Sequence, residues 1–185
     1  MGQFVLKNIE MTLDPKSIRA AIKEVKKLQE DLGKALHELV RVLTDQGVEI
    51  AKIEISSLGA VDTSLLFESI EGVYNPETHV GIVMAAVSYA IYVEYGTGIV
   101  GAENPHPEPE KIGWDYDIHE HGEGGWWYPS PTGWYVPKDG VTNEEGWSLA
   151  WTKGMPARPF MYNTLKELEV EAEISGGRII AEYIP

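Results

Sequence analysis

His119 and His121 stand two residues apart, with Asp117, Glu120 and Glu123 around them. On a strand that spacing points both imidazoles to one side, where they could share a zinc ion. Spacing suggests no third ligand: His106 sits between two prolines and His37 lies within a helical pattern. A polar loop in an acidic chain is the simpler reading, and no metal is assigned. A second candidate is "EYGTGIVGAE", residues 94–103, whose glycines could let a backbone or a phosphate come close. No lysine follows and no helical pattern opens after them, so neither a P-loop nor a dinucleotide fingerprint is satisfied. There is no G-x-S-x-G elbow, and no serine has an obvious histidine partner. Carboxylates abound, but nothing marks two of them as acid and base. With Cys 0, disulfides, thiolate zinc sites and a cysteine nucleophile are excluded. The expectation is a non-enzymatic protein with no catalytic residue and no cofactor.

Charge narrows the partners. Lys+Arg 15 against Asp+Glu 29 gives a net of −14 in 185 residues. Gripping a nucleic-acid backbone requires a basic footprint, so sequence-specific DNA binding is not expected, whereas an acidic surface past which DNA slides is compatible. The basic residues gather between Lys16 and Lys52, mixed with acids as on a solvated helix face. No apolar run reaches the roughly 20 residues that span a bilayer. The start "MGQFVLKNIEMTLDP" lacks the basic and apolar regions of a secretion signal. An intracellular, soluble product with no membrane partner is expected.

The elements that would position these residues follow from periodicity. Asp14-Pro15 reads as a helix cap followed by proline in the first turn. From there Ile18, Ile22, Val25, Leu32, Leu36, Leu39 and Leu43 form one helical stripe, and the pattern continues through Val48, Ala51 and Ile55. Some 40 residues would make a rod of about 60 Å. Two helices bent near Gln46-Gly47, or one helix that packs against neighbouring subunits, both fit. Asn75-Pro76-Glu77-Thr78 is turn chemistry between β-prone runs, giving a hairpin from 67–74 to 79–86. A short helix from Ser88, acting as its cap, to Tyr95 follows. Residues 99–146 are rich in Trp, Gly and Pro and read as an inserted excursion, with "WWYPSPTGWYV" suggesting a hairpin of its own. Trp126, Trp127 and Trp134 there are candidate interface residues, as are Leu32 and Leu36 on the long helix; flat rings could also stack on sugars. A last helix opens near Pro159, because the residue before a proline avoids helix. Its stripe is Leu165, Leu168, Ala172, Gly176, Ile179 and Tyr183, with Gly176-Gly177 a place to kink or stop. The fold class is α+β: residues 1–98 and 147–185 as one domain, 99–146 as its insertion.

Two stretches carry a resemblance. "SYAIYVEYGTG" and, later, "KGMPARPFMYNTL" resemble the paired signature of the tail-component family of siphophage and prophage morphogenesis proteins. The matching residues are Val93, Glu94, Tyr95, Gly96, Thr97 and Gly98, then Pro156, Ala157, Arg158, Pro159, Phe160 and Met161. "DTSLLFESI" fits a further pattern loosely at Thr63, Leu65 or Leu66, Ser69 and Ile70, with Ser64 where glycine is usual. The likeness spans roughly 15–98 and 147–172 and leaves the excursion unassigned. It implies a structural protein of the head–tail junction, a neck or tail-completion component. Such a component works as a homo-oligomeric ring among connector and tail-terminator proteins, in a virion assembled in the host cytoplasm, with DNA passing unbound. A tail accessory module that binds carbohydrate or a receptor through its Trp/Tyr-rich insertion is the alternative. Within either, "EYGTG" is expected to end a helix in a tight turn, and Glu94 to pair with Arg158 as a bidentate ion pair.

Overall fold

The structure is a computed structural model that describes residues 9, 12–60, 64–116, 125–129 and 149–184. The long helix opens where its cap lies: the Asp14 carboxylate accepts the N–H groups of Lys16 at 2.9 Å and Ser17 at 3.0 Å, satisfying donors that the first turn leaves orphaned. Helix α1 then runs unbroken from Pro15 to Ser57, 43 residues or about 65 Å. The Thr12 hydroxyl, and after it the Ser17 and Lys16 N–H groups, hold the Asp14 carboxyl below its usual range. A depressed folded-state pKa contributes stability that is present above the ordinary value of 3.8 and lost as pH falls through the folded one. Amide protection at Lys16 and Ser17 is therefore expected to fall as pH drops below that value, and in Asp14→Ala to be low already at neutral pH. Undiminished protection in the variant would remove the cap's role.

Leu65–Glu68 form a short helix, α2, where the sequence reading began the first strand. The hairpin then follows as β1, Ile70–Asn75, and β2, Val80–Ala85, in a two-stranded antiparallel sheet. Its turn is held by the Asn75 side-chain oxygen, which accepts the Glu77 and Thr78 N–H groups at 2.9 and 3.2 Å. Helix α3, Ala90–Tyr95, opens two residues later than expected; Tyr89 precedes it and Ser88 does not cap it. Helix α4 is Gly98–Glu103, and a single 3-10 turn covers Pro109–Lys111. Strand β3, Trp126–Pro129, pairs antiparallel with β4, Leu149–Thr152, in the register Trp127↔Trp151. The local hairpin expected on "WWYPSPTGWYV" involves residues outside the described ones, as do Trp134, His119 and His121. Helix α5 runs from Phe160 to Tyr183, through Gly176-Gly177 without a break.

The chain divides into two compact units, one holding residues up to 53, 70–84 and 163 onward, the other 54–69 and 85–162. The division falls inside α1 and α5. In the first unit α1, the hairpin and α5 pack through small residues. A Cβ on Gly72 would meet the Thr44 and Val48 side chains within 3.0 Å, and one on Gly47 would meet Val83 and Leu168 as closely. Backbones meet where side chains are smallest. Ala21, Ala35, Thr44, Gly47, Ala51 and Ile55 are the buried positions of α1. Of the expected stripe, Ala51 and Ile55 are thus buried, whereas Ile22, Val25 and the interface candidates Leu32 and Leu36 stay exposed, Leu32 by 50% and Leu36 by 45%. On α5 the buried positions are Phe160, Thr164, Ser175, Gly176 and Ile179, whereas Leu165, one residue and so 100° on from Thr164, faces out. No helix of the described residues is long and apolar enough to cross a membrane.

Candidate functional site

In the second unit the two signature stretches fold onto each other. Thr97 and Met155 form an isolated antiparallel bridge, exchanging N–H···O bonds of 2.9 and 3.1 Å. The Arg158 N–H donates to the Val93 carbonyl at 2.8 Å and the Ala157 N–H to that of Asn104 at 3.1 Å. Such an approach leaves no room for side chains. Gly96, at φ 77, would place a Cβ 2.6 Å from the Ala157 nitrogen, and Gly98, at φ 61, would place one 2.5 Å from the Lys153 oxygen. Both need the left-handed region that glycine enters without strain. The expectation that "EYGTG" ends a helix is met: α3 stops at Tyr95, and Gly96 at φ 77 leads into the extended Thr97.

The expectation that no helix opens after these glycines is not met, since α4 begins at Gly98. Two amides of its first turn are nonetheless engaged within the chain. The Gly98 N–H donates to the Tyr116 carbonyl at 2.7 Å and that of Val100 to Lys153 at 3.2 Å. The loop is clasped by its own backbone and does not present these donors to a phosphate.

The charged centre of the clasp is Glu94, 7% exposed. Its partner is not Arg158. One carboxylate oxygen accepts the Met161 N–H at 2.8 Å, and the other accepts the Tyr162 N–H at 2.9 Å and faces His106 Nε2 at 3.2 Å. The carboxylate thus sits on the first turn of α5, where orphan N–H groups and the helix dipole favour negative charge. Arg158 contributes its backbone, and its guanidinium is not among Glu94's partners. The correction has a physical reason. Arg158 lies two residues before the first turn of α5, so docking its N–H on Val93 delivers the next amides to the carboxylate directly.

His106, 4% exposed, is the residue that spacing alone set aside. Its Nδ1 accepts the Glu108 N–H at 2.9 Å, which leaves Nε2 as the N–H that donates to Glu94. The ring lies 4.2 Å from Tyr95 and 5.4 Å from Tyr162, centroid to centroid, and Trp114 stands 5.1 Å beyond Tyr95. The Trp114 N–H donates to the Gly96 carbonyl at 3.0 Å. Asn104, His106, Trp114 and Tyr116 of the inserted excursion therefore take part in the clasp. Burial pushes the Glu94 carboxyl up, against the pull of the Met161 and Tyr162 N–H groups and of His106. The sequence did hold a signal for this pair: a lone acid in an apolar run needs a partner, and Pro105-His106-Pro107 is a histidine on a stiffened backbone.

Of the other candidate residues, Trp127 is exposed and a cross-strand neighbour of the exposed Trp151, with centroids 5.3 Å apart; Trp126 is half-buried. No group of three or more His, Cys, Asp or Glu that could hold a metal occurs among the described residues. Comparison of the chain with family models, curated proteins and solved structures finds no match.

Proposed function

We propose that the protein is a non-enzymatic structural component of a tailed-phage or prophage virion, a neck or tail-completion part that joins tail to head as a ring of copies. The observation that carries this reading is the pair of signature stretches, whose matched residues form one buried clasp between α3 and the start of α5. The clasp uses the signature for architecture and leaves binding to the outer faces. The long α1, with apolar residues left open to solvent, suits a subunit that is completed by its neighbours. The net charge of −14 suits a channel past which DNA moves without sticking. Leu32→Asp or Leu36→Asp is expected to block tail attachment while capsids still fill with DNA, as seen by electron microscopy of lysates. Infectious particles at wild-type titre from both variants would overturn the proposal.

A second reading, a tail accessory module that binds carbohydrate or a receptor, draws on the exposed Trp127–Trp151 pair. Saccharide binding abolished by Trp127→Ala, with tail joining intact, would favour it.

A further inference from the structure

Three features of the first unit have no use among the described residues. The first is the open face of α1, where Ile22, Val25, Leu32 and Leu36 stand three, seven and four residues apart and so share one side of the helix. The second is Gly33 on that same side, four residues after Gln29 and three before Leu36. A glycine in mid-helix is unfavourable, and such positions are kept where another backbone comes close. Yet a Cβ at Gly33 would meet nothing within 4 Å, whereas Cβ atoms at Gly47, Gly72 and Gly81 would run into the chain's own side chains. The third is a groove of about 620 Å³ between the later part of α1 and α5, lined by Asp45, Glu49, Ile50, Glu167, Val170 and Glu171 together with Gln46 and Lys166. Within the described residues the buried side-chain oxygen of Gln46 finds no hydrogen-bond donor.

Charge says what fits what. Residues 15–36 carry six basic and three acidic side chains, a local net of +3 in a chain of net −14. Helix α5 carries two basic and five acidic, a net of −3, and four of the groove's lining residues are acids. Arg19 and Lys26 lie beside the apolar strip, three before and four after Ile22. A basic-edged apolar ridge and an acidic-edged groove with Val170 and Ile50 on its wall are complementary in shape and sign.

We propose that the ridge of α1 from Ile22 to Leu36 docks into the α1–α5 groove of a second copy of this chain, with Gly33 the point of closest approach. Ridge and groove are different faces, so the contact is heterologous and propagates around a ring or along a filament. It deepens the ring reading above by naming the two faces, and it is tested on the purified chain alone, apart from any virion.

The natural chain has no cysteine, so single cysteines report proximity without background. Leu32→Cys and Val170→Cys proteins, mixed in equal amounts under mild oxidation, are expected to give the mixed disulfide several-fold above its statistical share. Adding Gly33→Ala to the Leu32→Cys chain should raise the melting temperature of that chain, since the helix gains a better former and nothing clashes, while cutting the mixed product several-fold. A mixed product at or below the statistical share overturns the contact, as does a majority of Leu32→Cys homodimers, which would mean that ridge packs on ridge. Unchanged cross-linking with Gly33→Ala overturns the close approach. Failure here would leave the virion test of Leu32→Asp and Leu36→Asp standing on its own, because a ring can close through other faces.

Discussion

Glu94→Ala is expected to destabilise the fold by about 3–5 kcal/mol, as for removal of one member of a buried charged network. The substitution leaves the Met161 and Tyr162 N–H groups and His106 Nε2 without their acceptor, and each buried donor left unmade costs about 1–3 kcal/mol. Glu94→Gln keeps one oxygen and is expected to lose less. The contrast that identifies the mechanism is a pair of double-mutant cycles read by urea denaturation. Glu94 and His106 should couple strongly, whereas Glu94 and Arg158 should couple by less than about 0.5 kcal/mol, because the arginine acts through its backbone N–H. Strong coupling to Arg158 would restore the ion pair expected from the sequence. A pH dependence accompanies this. The Glu94 carboxyl is pushed above its ordinary 4.5 by burial, so the folded state binds its proton more tightly than the unfolded state. The stability from that group is fully present below 4.5 and is lost as pH rises through the raised value. The natural chain should therefore lose stability relative to Glu94→Gln as pH rises above 4.5.

The elements that were legible in the sequence are those specified locally. Asp14-Pro15 starts α1 because a carboxylate and a proline each suit a first turn. Asn75 turns the hairpin through its own side chain, and the α+β class follows from the change of period. What local pattern does not specify is which face of a helix turns inward. The apolar stripe of α1 is buried at Ala51 and Ile55 but open at Leu32 and Leu36, and the hairpin lies against Thr44, where Gly72 and Gly81 come close. Close backbone approach selects small residues, and small residues carry little hydrophobic signal. Glu94 shows the same limit in the site. Its charge demanded a partner, and Arg158 met that demand by type. The chain answered with the first turn of α5 and with His106, and neither a helix N-terminus nor a tautomer is visible as a residue type. Helix α4 was missed because two of its six residues, Gly98 and Gly101, are poor helix formers that argue against a helix.

Phe160→Ala is expected to cost about 3–5 kcal/mol, the range for truncating a fully buried aromatic residue. Phe160 is 0% exposed and opens α5, one residue before the amides that Glu94 holds. The same truncation at Leu165, five residues on and 51% exposed, should stay within about 0.5 kcal/mol, since surface substitutions away from special features do little. Phe160→Leu, which keeps most of the apolar volume, should fall between the two, below about 1.5 kcal/mol if the neighbours repack. The informative measurement is the double variant Glu94→Ala with Phe160→Ala. Both side chains fix the first turn of α5, one by filling space beneath it and the other by binding its amides. Once either is gone that turn is free to fray, and the second loss should be smaller than when made alone, by an interaction of about 0.5–3 kcal/mol. Strict additivity would mean that the packing at Phe160 and the hydrogen bonds at Glu94 stabilise separate pieces of structure. The clasp would then be two contacts and not one.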